Sequence, residues 1–381
     1  MTGIQLGDDG AQITWYHEGL TEPQTLSLPG EGKDGMLRVP PDAWKGAQRG
    51  GRLGTAALSG FFKDLFHMLP GRPDFDRLRV LVTLKSLESG TGDHVVAALE
   101  ELGIDRRNIF LQDWRTSFFY YAVNKKRELW NGDVAFLWYR DEKMQGYIMH
   151  IDRSVKPAMV TLSKAAECEA GESVRMHRSQ EDWDRERDRL LYELLGKMFE
   201  RRSVSATYLY GTWFDASWAK RSFQYLTFRR HAFQGQNLFS KGACLGAMSR
   251  MGLIQKPDLL FVGVDMVPYT IGMRLRVKGR EQYYPLVNAG TNWYEAHSTL
   301  EVIPQSEKSI TLLTTPMEEG GESIVRVLRM DHFPAREERA TRLRISVYFT
   351  AADRMVLEAE DLGFGGFYQS TGRIWRREIS L

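Results

Sequence analysis

The apolar positions of this chain change their spacing along its length, and that change divides it. Residues 3–16 read as strand, turn and strand: Gln12, Ile13, Thr14 and Trp15 alternate as in a half-buried strand, and Gly7-Asp8-Asp9-Gly10 supplies the turn. Residues 29–54 are rich in Gly and Pro, lack periodicity and read as a long connection. Ala57, Phe61, Leu65 and Leu69 then recur at helical spacing up to Pro70-Gly71. A strand at 77–84, an apolar helical face at Val95, Val96, Leu99 and Leu102, and a strand at 108–112 follow, with a further helix carrying Phe118 and Phe119. This order predicts parallel strands joined by a right-handed crossover.

A second strand–turn–strand pattern starts at Asp133. Strands at 133–139, 146–151 and 159–162 form a predicted meander that echoes the opening hairpin, which points to a repeated α/β unit. Ser179 with Asp182 marks a helix start, and Trp183, Leu191, Leu194, Leu195 and Met198 form its buried stripe. Residues 204–210 read as a buried strand ending at Gly211-Thr212, followed by a helix from about Asp215 and a small-residue helix beginning near Lys241-Gly242. A strand that runs into a glycine turn and a helix is a place where backbone N–H groups can face a ligand.

Beyond a short apolar segment at 256–268 the pattern changes again. Seven strand-length runs follow, at 270–277, 283–287, 297–303, 309–315, 323–330, 341–349 and 355–361, with no helical pattern among them. They predict an antiparallel β-sandwich.

Composition alters this picture little. The chain has 381 residues, 43% hydrophobic and 26% charged, with a net charge of +2. Near-cancelling charges call for neither nucleic acid nor a membrane surface as partner. Basic runs such as 229–231 and 373–377 read as solvated faces. The first residues show no signal-peptide pattern, and no window approaches the ~20 apolar residues of a membrane span. Two cysteines, Cys168 and Cys244, fit unpaired thiols in a reducing cytoplasm. Eight scattered histidines offer no metal-ligand spacing, so no metal site is expected from the residues themselves.

Taken in order, these pieces resemble the DnaK-type heat-shock chaperones, which are built on the actin-like ATPase fold. The resemblance spans nearly the whole chain. Ile4-Gln5-Leu6-Gly7 stands where that family has its first phosphate loop, and Asp113 begins a segment, 113–122, similar to its Glu-Pro-Thr helix. Tyr210-Gly211-Thr212 matches the glycine turn near the adenosine. Lys241-Gly-Ala-Cys-Leu-Gly-Ala247 resembles the Gly-Ala-Ala helix that follows, and a set of uncharacterised bacterial proteins with a Lys-Gly-Ala-Cys motif is similar. Asp258–Gly272 looks like the interdomain linker and the start of the peptide-binding sandwich, and Phe333-Pro-Ala-Arg336 resembles its Pro-Ala-Pro-Arg turn.

The resemblance implies an α/β actin-like (ribonuclease H-like) duplicated domain over 1–257, an apolar linker over 258–268, and a β-sandwich of substrate-binding type over 269–381. It implies ATP or ADP with magnesium as cofactor, held by Gly7, Asp8, Asp9, Gly10, Gly211, Thr212, Lys241 and Gly242, with Asp113 as the catalytic carboxylate. It also implies a polypeptide or protein partner contacted by Leu286, Val287, Thr291, Leu300 and Val302.

The departures fall on the chemistry. Gln5 replaces the acid that organises magnesium, and a neutral amide lacks the charge that coordination requires. Tyr139–Gln145 replaces a Gly-Gly-Gly-Thr loop, and bulky side chains hinder a backbone wrapped around phosphate. About seventy residues separate Tyr139 from Gly211, where that family inserts a whole subdomain. The favoured expectation is therefore a pseudo-ATPase, a lidless chaperone-like protein that binds a polypeptide or partner through the sandwich. An active magnesium-dependent ATPase and a structural assembly component are the alternatives.

Overall fold

The computed structural model describes residues 1–8, 10–26, 36–49, 52–71, 73–87, 90–140, 142–171, 175, 179–211, 214, 217–254, 258–304, 308–317 and 322–381. The chain divides into two units, Met1–Gly263 and Val264–Leu381.

In the first unit, β1 (Thr2–Gly7) and β2 (Gly10–Trp15) form an antiparallel hairpin, with β3 (Gln24–Thr25) paired to the outer side of β2. On the other side of β1 lie β4 (Val80–Leu84) and then β5 (Ile109–Asp113), both parallel to their neighbours. All five residues of β4 are buried, as expected for a central strand covered on both faces. The strand order is β3-β2-β1-β4-β5.

The second sheet repeats that arrangement. An antiparallel meander of β6 (Asp133–Arg140), β7 (Lys143–Asp152) and β8 (Ala158–Glu169) is extended on the β6 side by parallel β9 (Val204–Tyr210) and β10 (His231–Gln234). Its order, β8-β7-β6-β9-β10, therefore reproduces that of the first sheet in sequence and direction, with one strand added at the β8 edge. That added strand is β11 (Leu259–Val262), parallel to β8 in the register Leu259↔Ala158 to Val262↔Thr161. Within the stretch 258–268, expected to be an apolar linker, Leu259 and Phe261 are buried in the core of the first unit, and the division falls after Gly263.

Seven α-helices are described: α1 (Pro41–Arg49), α2 (Arg52–His67), α3 (Thr91–Glu100), α4 (Trp114–Val123), α5 (Gln180–Phe199), α6 (Lys220–Thr227) and α7 (Leu238–Arg250). Helix α1 lies inside the stretch expected to be a connection. Pro41 occupies its first position, where a missing N–H costs nothing, so the prolines there start a helix and do not exclude one. The helix expected from Asp215 begins at Lys220, and α7 begins three residues before Lys241. Ser179 caps α5: the Asp182 N–H donates to its hydroxyl at 3.2 Å, and that hydroxyl donates to the Asp182 carboxylate at 2.6 Å.

Strand alternation sorts the core of the second sheet into two faces. Val134, Phe136 and Trp138 of β6 join one apolar cluster with α4 and the start of α7, while Ala135, Leu137 and Tyr139 join another beneath α5. Gly146 of β7 lets α5 approach: a Cβ there would lie 2.1 Å from the Met198 sulfur. Burying each large apolar side chain in such a cluster contributes about 1.5–3 kcal/mol.

The second unit contains two four-stranded antiparallel sheets. One has the order β13-β12-β15-β16, from β12 (Tyr269–Val277), β13 (Arg280–Val287), β15 (Ser309–Pro316) and β16 (Ile324–Arg329). The other has β14 (His297–Val302), β17 (Leu343–Ala351), β18 (Arg354–Asp361) and β19 (Ile374–Ser380) in the order β14-β17-β18-β19. Both sheets contribute to a single apolar cluster that includes Ile271, Leu312, Ile345 and Leu357. Strand β19 contains most of the run 373–377, which the sequence reads as a solvated face, and its arginines are exposed. Trp375 and Ile379 turn inward, while Arg376 and Arg377 remain exposed on the strand.

Candidate functional site

The first unit carries a cleft where the β1–β2 turn meets the β6–β7 turn. A cavity of about 480 Å³ opens there, lined by Gly7 and Asp8 of the first turn and by Arg140 and Lys143 of the second. Lys85, just after β4, and Trp114 and Arg115, at the start of α4, also line it. A much smaller void, about 30 Å³, lies deeper beside Gln5, Gly10 and Phe239.

Two cross-links span this cleft. Gln5 Nε2, in the middle of β1, donates to the Tyr210 hydroxyl at the end of β9 at 2.6 Å. Asp8 of the first turn accepts a hydrogen bond from the Trp44 indole N–H and stands 3.9 Å from the Arg140 guanidinium of the second turn. Aromatic rings fill the space behind them. Tyr210 packs on Phe239 with centroids 4.6 Å apart, and Trp114 meets Trp138 at 5.3 Å and Tyr147 at 4.9 Å. Edge-to-face pairs of this kind rigidify the packing and add about 0.5–1.5 kcal/mol each.

The glycines expected to cradle phosphate divide by role. Gly7 lines the cavity, and a Cβ there would meet nothing within 4 Å, so space does not demand glycine at that position. Gly10 has φ 136° and lets the chain at Leu37 cross, since a Cβ would lie 2.5 Å from the Leu37 carbonyl oxygen. Gly211 has φ 121° and abuts the Tyr139 carbonyl oxygen in the same way, at 2.5 Å. Gly242 lets α7 cross α4, because a Cβ would fall 1.9 Å from the Ser117 carbonyl oxygen. Lys241, on α7, does not line the cavity, and its charge lies near Lys125, whose ammonium is driven below its ordinary value by burial first and by Lys241 second. Asp9 and Thr212 lie outside the described residues.

Asp113 caps α4. Its carboxylate accepts from the Thr116 N–H at 2.8 Å and the Thr116 hydroxyl at 2.6 Å, and its second oxygen is 3.3 Å from Arg115. The side chain is 4% exposed and does not line the cavity. Of the expected nucleotide and catalytic residues, the structure brings Gly7 and Asp8 together at the cavity and puts Gly10, Gly211, Gly242 and Asp113 to work in chain crossings and capping.

For a magnesium nucleotide the described donors at this cavity are few. Among the described residues, Asp8 is the one carboxylate lining the cavity, and it is engaged by Trp44 and Arg140. Gln5 is neutral, and its amide oxygen is buried without a hydrogen-bond partner. No cluster of three or more potential metal ligands occurs among the described residues. The Tyr210 and Phe239 rings stand beside the glycine turn expected to face adenosine.

Cations dominate what is left. Arg115 and Arg140 rest on the rings of Trp114 and Trp138, at 4.8 and 5.9 Å. Lys143 pairs with Glu169 at 2.8 Å, a contact that raises its pKa through the hydrogen bond and the charge. Nothing in the sequence marked Lys85, Arg115, Arg140 and Lys143 as a group, because three separate chain segments bring them to one wall. The run Tyr139–Gln145, expected from the resemblance to stand at a glycine loop, was the available signal.

In the second unit, Leu286 and Val287 are buried in the shared apolar cluster and are not surface contacts. The Thr291 carbonyl accepts from the Val267 N–H at 2.8 Å. Leu300 and Val302 are half-buried on β14, which is an edge strand.

Two mixed sheets of one strand order around a cleft place the first unit in the class of actin-like α/β proteins, and two antiparallel sheets follow it. The chain belongs to a family of unknown function, DUF5716: that family's C-terminal model matches residues 54–263. Residues 266–381 match a domain of unknown function, DUF8552. No curated protein matches the chain. Among solved structures it is similar to a Bacteroides thetaiotaomicron protein with an actin-like ATPase fold and unknown function, at 12% identity over 65% of this chain and 95% of that one, TM-score 0.33. It is also similar to a ROK family glucokinase from Streptomyces griseus in complex with glucose and AMPPNP, at 10% identity over 65% and 98%, TM-score 0.38. A third is the PilM-PilN type IV pilus biogenesis complex, at 11% identity over 67% and 98%, TM-score 0.37. No described helix is long and apolar enough to cross a membrane.

Proposed function

We propose that this protein is a pseudo-ATPase: a duplicated actin-like domain kept as a scaffold, followed by a β-sandwich that binds a polypeptide or partner protein in a chaperone-like manner. One observation carries the first half. The Gln5–Tyr210 hydrogen bond crosses the cleft where phosphoryl transfer requires metal and charged groups, and the amide stands in place of an acid. The only described carboxylate at the cavity is already engaged.

Support for the second half comes from β13, an edge strand paired to β12 alone, whose residues Arg280 to Pro285 are all exposed. Tyr283 and Tyr284 present apolar area there, 44% and 43% exposed. An unpaired edge with aromatic side chains offers main-chain hydrogen bonds and packing to an extended segment.

Two measurements test this reading. Phosphate release from magnesium ATP is expected at the buffer rate, with Asp113→Ala no different; turnover above that rate, lost in Asp113→Ala, sinks the pseudo-ATPase. Extended apolar peptides are expected to bind in calorimetry, and more weakly after Tyr283→Glu with Tyr284→Glu. Heats equal to dilution for every peptide would remove the binding role.

A further inference from the structure

We propose that the cleft cavity binds a compact, doubly charged organic anion carrying a flat ring, such as an aromatic phosphate monoester, and binds it without a metal ion. The reasoning starts from charge. Lys85 and Arg115 face the cavity from one side and Arg140 and Lys143 from the β6–β7 turn, against Asp8 as the one described carboxylate in the wall. A group contacted from both sides is best served by more than one negative charge.

The partners of Arg115 and Lys143 hold them in place from outside the cavity. Asp113 and Glu169, which grip Arg115 and Lys143, do not line the cavity. Arg115 makes one hydrogen bond to Asp113, leaving most of the five guanidinium N–H donors for a ligand. Lys85 is exposed and has no ion pair among the described residues. Guanidinium and ammonium groups placed this way favour a phosphoryl oxygen over a neutral acceptor.

The walls supply the ring preference. Trp114, Trp138 and Tyr147 line the same cavity, and its volume of about 480 Å³ suits a small molecule. The Tyr210 and Phe239 rings stand behind it, beside the glycine turn, where the void described next to Phe239 is about 30 Å³. With its one described carboxylate engaged, the wall gives a divalent cation little to hold, and the anion must meet the protein directly. This inference does not use the second unit, so loss of the proposed peptide binding leaves it standing.

Calorimetry on the full chain in EDTA tests it, with phenyl phosphate, benzoate and benzyl alcohol as probes. Phenyl phosphate is expected to bind saturably and at least about tenfold more tightly than benzoate, with no binding of benzyl alcohol. Lys85→Gln, which disturbs no described ion pair, is expected to weaken phenyl phosphate about tenfold or more, the loss typical of one charged contact. Glu338→Gln, an exposed position in the second unit, is the control and is expected to bind as the parent does. Absence of saturable heat, equal affinity for benzoate and phenyl phosphate, an unchanged Lys85→Gln, or binding that appears only with magnesium would each overturn the proposal.

Discussion

At the scale of single residues, Gln5 and Tyr210 decide what the cleft is. They lie 205 residues apart, and the hydrogen bond between them ties a strand of the first sheet to one of the second. Removing the hydroxyl leaves the half-buried Gln5 amide donor without this partner. Tyr210→Phe is therefore expected to cost about 1–3 kcal/mol in urea unfolding, and a loss below about 0.5 kcal/mol would show that the bond contributes little. A second residue pair matters in the other unit. Arg336 donates to both oxygens of Asp361 at 2.7 and 2.8 Å, with the side chains 6% and 0% exposed. Burial alone would raise the Asp361 pKa. Arg336, the Thr371 N–H and hydroxyl, and the Gly363 N–H more than offset that, and hold it well below the carboxylate range. A depressed pKa stabilises the fold above the unfolded value and is lost as pH falls through the folded one. Stability of the second unit is thus expected to decline progressively below about pH 4, and less so in Asp361→Asn, which itself costs about 3–5 kcal/mol at neutral pH. Acid titration of unfolding, parent against variant, checks both signs.

At the scale of elements, helix α7 shows why small residues in this sequence are about packing. A Cβ on Gly3 would lie 2.1 Å from the Cys244 nitrogen, and one on Gly242 would strike the Ser117 carbonyl, so α7 lies against the backbone of both β1 and α4. Burial among these neighbours also pushes the Cys244 thiol up to about 12, which keeps it protonated and inert. Gly242→Ala is expected to destabilise by about 1–3 kcal/mol or more in denaturant unfolding, because backbone cannot move aside as a side chain can. Gly196→Ala, in α5 with open space around it, should instead stabilise by up to about 1 kcal/mol through helix propensity. If both variants behaved alike, the close crossing of α7 and α4 would not be the cause. The elements themselves were mostly legible. Apolar runs of strand length gave β6, β7 and β9, and the Ser179–Asp182 pair gave the start of α5, because burial and capping act locally. Helix α1 and strands β10 and β19 were not legible, since Pro41 and the arginines around 230 and 376 belong to residue types that usually mark breaks or solvated faces. The cavity wall was not legible either. Lys85, Arg115 and Arg140 become neighbours only when two sheets are brought together, which no local spacing records.

At the scale of the molecule, the question is whether the two units need each other to fold. The second unit holds its own apolar cluster, from Val267 to Ile379, drawn from both of its sheets. Its eight described strands are paired within the unit, and the buried ion pair of Arg336 with Asp361 is internal. Trp375 donates its indole N–H to the Asp331 carbonyl at 2.8 Å, fastening the last strand β19 to the turn after β16. A domain of about 120 residues with a continuous core is large enough to be stable alone. A fragment spanning 264–381 is therefore expected to give dispersed amide resonances and a single cooperative unfolding transition. Truncating it before β19 removes Trp375 and Ile379 from the cluster, and should cost several kcal/mol, about 3–5 for the tryptophan alone, enough to abolish that transition. If the fragment 264–381 were itself collapsed or disordered, the cluster would not be the unit's own source of stability. The same fragment separates the proposed activities: it should retain peptide binding at the β13 edge while lacking every residue of the anion cavity.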